Sequence, residues 1–218
     1  PDEKLYIPIG SPCNYCDEPD YGVITRIDTD GSNKKIIARG IRNTVGITFH
    51  PKTDELWFTD NGRDMLGDDI PPGELNRVSF NGQHFGFPFC HGENIEDPIL
   101  GDLGTCEKST APVQELDAHV APLGLKFYTG SQFPNEYKNQ IFIPEHGSWN
   151  RSKKSGYRIT VVKLDGNNAV SYETFADGWM KEETTLGRPV DLVIANDGSM
   201  LVSDDHNGVI YRITYNTN

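Results

Sequence analysis

The chain has 218 residues, of which 36% are hydrophobic and 24% charged, and its formal net charge is −12. This length suits one large all-β domain or two small ones, and the recurring aromatic and β-branched runs exclude a disordered chain. Because an acidic chain binds a phosphate backbone poorly, the charge argues against a nucleic-acid-binding protein. No stretch approaches the roughly 20 apolar residues of a membrane-spanning helix.

The chain opens with PDEKLYIPIG, which already has the pattern of a strand, and no leader of the signal-peptide type comes before it. A natural protein rarely starts within a strand. We therefore expect the chain to be a fragment or a processed product of a longer protein.

Short runs of β-branched and aromatic residues, bounded by turn residues, follow one another along the chain. In chain order they are GVITRID, KIIARG, GITFH, ELWFTD, GLKFYTG, NQIFIP, YRITVVKL, DLVIA, SMLVSD and GVIYRITY. No window keeps a helical period, so the sequence predicts an all-β fold with little helix. Within these runs we predict Trp57, Phe58, Phe142 and Tyr211 to be core residues, whereas His50, in a turn, is predicted to lie at the surface.

Four cysteines are present, two of them in the segment SPCNYC. No histidine follows Cys16, which excludes the haem-attachment pattern, and no second CxxC completes a zinc site. Cys90 and Cys106 flank a loop rich in Gly, Pro and Asp, and His91 beside it is predicted to be structural. We predict two short-range disulfides, Cys13–Cys16 and Cys90–Cys106, in an oxidising compartment; free thiols are the alternative.

Three segments share one layout, beginning at Gly40, Ala118 and Gly187. Each has a polar leading loop, a strand, a turn, an apolar strand and a polar trailing loop with glycine, and a further strand follows. The starts lie roughly 70 to 80 residues apart, which is longer than a bare propeller blade of about 40 to 45 residues and fits blades with long loops. The repeat therefore predicts a β-propeller.

The three units and the partial unit LYIPIG…GVITRID make about three to three and a half blades, so residues 1–218 are predicted to form a partial propeller domain. Propellers usually close with about four to eight blades. Because a half-ring would leave open sheet edges, we expect N-terminal blades outside this chain, or a second chain, to complete the ring.

The leading and trailing loops of successive blades should meet at one end of the propeller. The leading loops contribute Arg42 and Asn43, then His119, then Arg188. The trailing loops contribute Asn61, Gly62 and Arg63, then Trp149, Asn150 and Arg151, then the run DDHNG. Basic side chains and a tryptophan on one rim favour an anionic, planar ligand, because arginine binds carboxylates and an aromatic face stacks on rings. The alternative is an ordinary solvated rim.

The segment DNGRDMLGDDIPPGELN contains several hard oxygen donors and a glycine region with backbone carbonyls, which suits calcium. The carboxylates are those of Asp60, Asp64, Asp68, Asp69 and Glu74. Their spacing does not match the EF-hand pattern, and a solvated acidic loop is the alternative.

The motifs GIRNTVGITFHP, ELWFTDNGRD…DDIPPGELN, FGFP, HVAP and GRPVDLVIANDGSMLVSDDHNGVIYRI, taken together and in order, cover nearly the whole chain. They resemble the soluble quinoprotein glucose and sorbosone dehydrogenases, and more narrowly the L-sorbosone and pyranose dehydrogenase branch. The resemblance implies a six-bladed propeller that binds pyrroloquinoline quinone and calcium. It further implies oxidation of a sugar or sugar aldehyde, an external acceptor such as a quinone or cytochrome, and a periplasmic or secreted location.

The resemblance also assigns roles to residues. The Arg-Asn pair of the family falls on Arg42 and Asn43, and its cofactor position before VAP falls on His119. Its basic loop, which meets the quinone carboxylates, falls on Trp149, Asn150 and Arg151. The family's last Arg-x-Arg is RPV here, so Arg188 is retained and a valine stands at the second arginine position.

The calcium loop of the family falls on Asn61, Gly62 and Arg63, where the carbonyls of Gly62 and Arg63 would face the metal. Arg63 and Asn61 replace the Pro and Gln of the glucose dehydrogenases. The catalytic histidine of the family has no counterpart in this sequence and is expected in blades before residue 1. Two alternatives stay open: a propeller that binds without catalysis, and a calcium-dependent lactonase of similar architecture, for which the loops are too basic.

Overall fold

The computed structural model describes residues 2–216 of the chain. Nearly all regular structure in that range is β-strand, and the helices are three short 3-10 turns, Gly101–Leu103, Cys106–Lys108 and Asn135–Tyr137. The predicted all-β fold is confirmed. The strands are β1 (Leu5–Ile9), β2 (Val23–Ile27), β3 (Lys35–Arg39), β4 (Ile47–Phe49), β5 (Leu56–Asp60), β6 (Pro72–Val78), β7 (Gln83–His84), β8 (Cys90–His91), β9 (Ile95–Glu96), β10 (Gln114–Ala118), β11 (Lys126–Phe127), β12 (Ile141–Glu145), β13 (Arg158–Asp165), β14 (Asn168–Ala176), β15 (Met180–Lys181), β16 (Thr184–Thr185), β17 (Pro189–Ile194), β18 (Met200–Asp204) and β19 (Val209–Ile213).

Within residues 2–216, four sheets of three or four strands follow one another along the chain. Their strand orders are β1-β2-β3-β7, β4-β5-β6-β10, β11-β12-β13-β14 and β17-β18-β19. Neighbouring strands are antiparallel except β3 and β7, which are parallel. We call these sheets the first to fourth blades. The pairs β8-β9 and β15-β16 are separate two-stranded ribbons.

The repeat of the sequence matches these blades strand by strand. The segments LYIPI, LWFTD, IFIPE and MLVSD form β1, β5, β12 and β18, and each pairs with the strand that follows it. In the second, third and fourth blades an earlier strand, β4, β11 or β17, pairs on the other side. The described part of the first blade thus begins at the second strand of the repeat, and the partial propeller is confirmed.

The core lies between neighbouring blades. Because side chains alternate along a strand, Trp57 packs with Leu125 and Ile141 of the third blade, while the adjacent Phe58 packs with Ile24 of the first. A third cluster joins the third and fourth blades through large side chains: Tyr128, Phe142, Tyr157, Ile159, Leu192 and Val202. The core positions predicted for Trp57, Phe58 and Phe142 are confirmed, since all three are fully buried.

Two predicted burial states are wrong. Tyr211 was predicted to be core, yet it is 36% exposed because β19 is the outermost strand of the fourth blade within the described residues. His50 was predicted at the surface, yet it is only 8% exposed. Its Nδ1 accepts hydrogen bonds from the backbone N–H groups of Lys52 and Thr53, and its ring packs edge-on against Phe127. The imidazole therefore closes the turn from the inside.

Both predicted disulfides are present. Cys13 bonds to Cys16 and Cys90 bonds to Cys106, and no cysteine in the described residues is free. His91 is buried beside Cys90, where its Nε2 lies 2.9 Å from Asp97 Oδ2, as its predicted structural role requires. No helix in residues 2–216 is long and apolar enough to cross a membrane.

Phe142 belongs to the cluster that joins the third and fourth blades, and within the third blade its ring contacts that of Phe175 edge-on at 4.8 Å between ring centroids. We expect Phe142→Ala to lower the free energy of unfolding by about 3 to 5 kcal/mol, because it removes buried apolar surface and leaves a cavity. The control is Val170→Ala on β14, since Val170 is 64% exposed and should cost less than about 0.5 kcal/mol. Urea denaturation of both variants measures the difference, and similar losses in the two would contradict the assigned core.

Candidate functional site

A cavity of about 230 Å³ opens where loops of the second and third blades meet. Three stretches of chain supply most of its wall: the leading loop before β4, the trailing loop after β5, and the leading loop before β11. Six of the ten residues predicted to hold a cofactor or metal lie on it. Its lining residues are Arg42, Asn43, Asn61, Gly62, Asp64, Pro71, Gly73, His119, Val120, Ala121, Pro122, Leu123 and Trp149.

Arg42 and Asn43 enter the cavity from a loop that Asp60 holds in place. The two carboxylate oxygens of Asp60 accept the backbone N–H groups of Arg42 and Asn43 at 2.9 and 2.7 Å. The Arg42 side chain is 17% exposed and pairs with Asp64 Oδ2 at 3.2 Å. Its Nε is buried and has no hydrogen-bond partner among the described residues. The cavity wall thus has a fixed cation with one donor still to satisfy.

Asn61 and Gly62 close the wall on the side of the trailing loop. Asn61 Nδ2 donates to the carbonyls of Asn43 at 3.0 Å and Pro122 at 3.1 Å, so one amide joins the second blade to the third. At Gly62 a Cβ would lie 2.7 Å from the Pro71 ring, so no larger residue fits. The carbonyl oxygens of Gly62 and Arg63 accept no hydrogen bond within residues 2–216. These oxygens are therefore available to a cation.

His119 lies on the facing wall in a strained backbone. Its φ is +64°, and that of Ala121 is +52°, a left-handed region that residues other than glycine adopt uncommonly. The ring Nε2 lies 2.7 Å from the Gly67 carbonyl and 3.1 Å from the Ile70 carbonyl. Because carbonyl oxygens only accept, Nε2 carries a proton and donates. Nδ1 is the ring atom left for an occupant of the cavity.

The loop Trp149–Arg151 reaches the cavity only through its tryptophan. Trp149 is 69% exposed and forms part of the lining. The Arg151 guanidinium instead binds the acidic loop, with Nε donating to the Asp68 carbonyl at 2.9 Å and Nη2 to Asp69 at 2.7 Å. Asn150 lies outside the lining, and its Nδ2 is buried without a partner in the described part of the chain.

Arg188 and Arg63, two further predicted site residues, have side chains that are engaged elsewhere. Arg188 Nη1 donates to the Gly147 carbonyl at 3.2 Å, and its Nη2 lies 3.2 Å from the Tyr157 hydroxyl. The Arg63 side chain is 3% exposed and pairs with the buried Asp97 at 2.5 Å. The leading and trailing loops do meet at one end of the blades, but the cavity receives only one of their arginines.

The acidic loop does not form a carboxylate cage. Asp64 pairs with Arg42, Asp69 pairs with Arg151, and Asp68 accepts the backbone N–H of Ser152 at 2.9 Å. No group of three or more His, Cys, Asp or Glu side chains in the described residues is arranged to hold a metal ion. A cation at this end of the molecule would have to rely on backbone carbonyls and on its own ligands.

Two of the predicted oxygen donors, the carboxyl groups of Asp60 and Glu74, are buried and face each other, which the sequence pattern did not indicate. Asp60 on β5 is paired in register with Glu74 on β6, and Glu74 with Glu115 on β10. Burial raises the pKa of Asp60 to about 7. Burial and the charge of Asp60 raise the pKa of Glu74 to about 8. Glu74 accepts hydrogen bonds from Gly92 N and Asn76 Nδ2, both at 2.8 Å, so its oxygens are also structural acceptors.

The corresponding position of the third blade is neutralised instead. Glu145, at the end of β12, is fully buried and is paired in register with Arg158, whose Nε donates to it at 2.7 Å. Thr160 and Tyr172 donate two further hydrogen bonds. Nearby, His146 Nε2 lies 2.9 Å from Asp205 Oδ1, so Glu145 and His146 both take part in local hydrogen bonds. Of these two blades, only the second pairs a buried carboxyl group in register with another carboxyl group.

The facing acids predict a dependence of stability on pH. Their folded-state pKa values lie above the unfolded values near 4, so the folded chain binds more protons between about pH 4 and 8 and loses stability as the pH rises. Glu74→Gln removes one acid and the repulsion on the other. We expect a smaller fall in melting temperature from pH 6 to 9 than in the wild type.

The absolute stability of Glu74→Gln is not the test, because glutamine keeps only one acceptor oxygen for two donors. The matched control is Glu107→Gln at an exposed position, which should leave the wild-type slope unchanged. Equal slopes in wild type and Glu74→Gln would show that the facing pair does not hold the extra proton.

Comparison with known proteins gives a consistent set of relatives. A family model described as TrAA12-like matches residues 100–216. A protein from Borreliella burgdorferi is 44% identical over 219 residues, covering 97% of this chain and 57% of that protein. The pyrroloquinoline quinone-dependent pyranose dehydrogenase of Coprinopsis cinerea is 26% identical over 241 residues, covering 82% of this chain and 31% of that enzyme.

Among solved structures, the calcium structure of a Trichoderma reesei carbohydrate-active enzyme of family AA12 superimposes with a TM-score of 0.77. Its sequence identity is 22%, and the match covers 95% of this chain and 64% of that one. At this identity the likeness supports the fold. The chain spans about half the length of the curated relatives it matches. Because the family model matches more than half of the residues, the chain belongs to the TrAA12-like family.

Proposed function

We propose that this chain is part of a dehydrogenase that uses pyrroloquinoline quinone to oxidise a sugar or sugar aldehyde, with the quinone held in the cavity between the second and third blades. The observation that supports this most directly is Arg42, a cation that lines the cavity and whose Nε has no partner in the described residues. Membership of the TrAA12-like family and the similarity to a pyranose dehydrogenase that depends on this quinone support the same reading.

The cavity residues fit the chemistry of the quinone. An arginine held by neighbours can bind a carboxylate without first being ordered. Asn43 and the Nδ1 of His119 offer further polar contacts, and the exposed Trp149 offers an aromatic face to a planar ring. Asp64 also lines the cavity and pairs with Arg42, so a planar polycarboxylate would use the donors of Arg42 that Asp64 leaves, together with the polar and aromatic neighbours.

Arg151, Arg188 and Asn150 are weaker members of the proposed site. A role for either arginine in binding the quinone requires its guanidinium to leave Asp69 or the Gly147 carbonyl, which costs the hydrogen bonds already formed. Asn150 has an unpartnered Nδ2, but the atom is buried and the residue lies outside the cavity lining. We therefore rank Arg42, Asn43, His119 and Trp149 above these three.

Calcium fits the site only in part. The carbonyl oxygens of Gly62 and Arg63 are available, and the Asn61 side chain lies beside them. Calcium takes about six to eight oxygen ligands, so these residues need help from the cofactor or water. We propose that the Gly62 and Arg63 carbonyls would hold a calcium ion next to the quinone, and we do not propose a separate carboxylate site.

When bound, the quinone would supply the two-electron acceptor, and the residues of this chain would bind and orient it. Arg42 would hold a carboxylate, His119 would offer its Nδ1, and Trp149 would cover the open side of the cavity. The base that removes the proton of the sugar hydroxyl is expected on a histidine of blades outside this chain. An external acceptor, a quinone or cytochrome, would reoxidise the cofactor.

The two disulfides favour a periplasmic or secreted location, because such bonds persist in oxidising compartments.

The proposed activity is tested on the full-length protein. With pyrroloquinoline quinone and calcium added, we expect reduction of an artificial electron-accepting dye in the presence of a sugar, and loss of that reduction when calcium is chelated. The panel should contain aldoses, ketoses and sorbosone. A protein that binds the quinone but reduces no dye with any of them would be a binding module, and the enzymatic proposal would fail.

The role of Arg42 is tested by direct titration of the quinone. Arg42→Ala should weaken binding by roughly ten- to a hundredfold, the value of one charge-assisted hydrogen bond. Arg212→Ala is the control, because Arg212 pairs with Asp197 in the fourth blade, outside the cavity lining. Equal affinity in the two variants would place the quinone elsewhere.

A further inference from the structure

A loop outside the predicted site contacts its central cation. Asn14 lies between Cys13 and Cys16, in a four-residue segment closed by their disulfide. Its Oδ1 accepts a hydrogen bond from Arg42 Nη2 at 3.1 Å. The same oxygen accepts the backbone N–H of Asp64 at 2.7 Å, and Asn14 Nδ2 donates to the Asp64 carbonyl at 3.0 Å. The side-chain amide of Asn14 therefore makes two hydrogen bonds to the backbone of Asp64 and one to the guanidinium of Arg42.

These contacts engage all but one of the guanidinium nitrogens of Arg42. Nη2 is taken by Asn14 and Asp64, and Nη1 lies 3.5 Å from the Asn61 carbonyl. Nε is the buried atom without a partner in the described residues. An asparagine suits this position because it combines an acceptor for the cation with a donor for a carbonyl, which neither aspartate nor a hydroxyl residue does with the same geometry.

The loop is itself anchored on both sides. The backbone N–H of Ser11 donates to the Arg42 carbonyl at 2.7 Å, and Ser11 Oγ lies 3.0 Å from the Cys13 carbonyl. On the far side the Tyr15 ring lies 4.3 Å from the guanidinium carbon of Arg63. Cys13 and Tyr15 are exposed, so little apolar burial holds the segment. The disulfide is what restricts the main chain around Asn14.

We propose that Asn14 is a positioning residue that fixes the guanidinium of Arg42 toward the cavity, and that the Cys13–Cys16 disulfide fixes Asn14. The positioning of Arg42 by Asn14 does not depend on the proposed function. The expected effect of Asn14 on quinone affinity rests on the proposed function. The two parts are therefore measured separately.

The first measurement uses the full-length protein without quinone. Arginine labelled with 15N gives Nε–H signals, and the signal missing from Arg42→Lys identifies Arg42. In Asn14→Ala the hydrogen exchange of this group with water should accelerate at least threefold, because the guanidinium loses an oriented acceptor and samples open states. The variant Cys13→Ser/Cys16→Ser should give the same direction of change, and it replaces Asn14→Ala if that variant does not fold.

Two controls separate positioning from general loosening. Asn167→Ala removes an amide that donates to Glu55 at 3.1 Å. Asn167 does not line the cavity and makes no hydrogen bond to Arg42, so this variant should leave the exchange of the Arg42 Nε–H unchanged. Cys90→Ser/Cys106→Ser opens the longer disulfide loop and should lower the melting temperature more than the loss of Cys13–Cys16, with less effect on Arg42. Acceleration below threefold in both Asn14→Ala and Cys13→Ser/Cys16→Ser, or an equal acceleration in the controls, overturns the proposal.

The second measurement is a double-mutant cycle on quinone affinity. Asn14→Ala should weaken binding by roughly tenfold in the wild type and by less than about twofold in the Arg42→Ala background, because Asn14 acts through Arg42. Additive losses would overturn the positioning role. If the wild type binds no quinone, the proposed function fails, while the exchange measurement still decides whether Asn14 positions Arg42.

Discussion

The cavity depends on the contact between the Asp60 carboxylate and the backbone N–H groups of Arg42 and Asn43. β5 ends at Asp60, and the two hydrogen bonds bind the leading loop of the second blade to its trailing loop. Without an acceptor at this point, these two part-buried N–H groups would lose their hydrogen-bond partner. The contacts of Arg42 and Asn61, including the hydrogen bond from Asn61 to the Pro122 carbonyl, therefore depend on a loop that Asp60 holds in place.

The fourth blade repeats this arrangement, whereas the third does not. Asp204, at the end of β18, accepts the backbone N–H of Arg188 at 3.0 Å. In the third blade Glu145 occupies the equivalent strand end, but its carboxylate is bound by Arg158. The loop before β11 is held by other hydrogen bonds. The His119 ring donates to two backbone carbonyls. The backbone N–H groups of His146 and Gly147 donate to the carbonyls of Ala121 and Val120, respectively. The strained loop of the cavity is thus the one that departs from the repeat.

The sequence predicted the strands, the blades, both disulfides and most of the core, because these follow from alternation, turn residues and local spacing. It misplaced His50, whose burial depends on Phe127, a neighbour distant in the chain, and Tyr211, which lies on the outermost strand of the fourth blade within the described residues. The grouping of loop residues by repeat position found Arg42, Asn43, Asn61, Gly62, His119 and Trp149 together. It could not show that Arg151 and Arg188 are engaged by nearer partners, because those acceptors are carbonyls and carboxylates placed by loop geometry.

The position of the cavity between blades has a mechanical consequence. Its wall is formed by two sheets that are joined, apart from the connecting chain, by packed side chains and a few hydrogen bonds such as that from Thr59 Oγ1 to the Leu123 carbonyl at 2.6 Å. An occupant that contacts both walls links the two blades, and its binding free energy opposes the separation of the blades. At a concentration one hundred times its dissociation constant, such a molecule adds about 2.7 kcal/mol to the folded state. The ligand would then stabilise the contact between the two blades in addition to taking part in the proposed reaction.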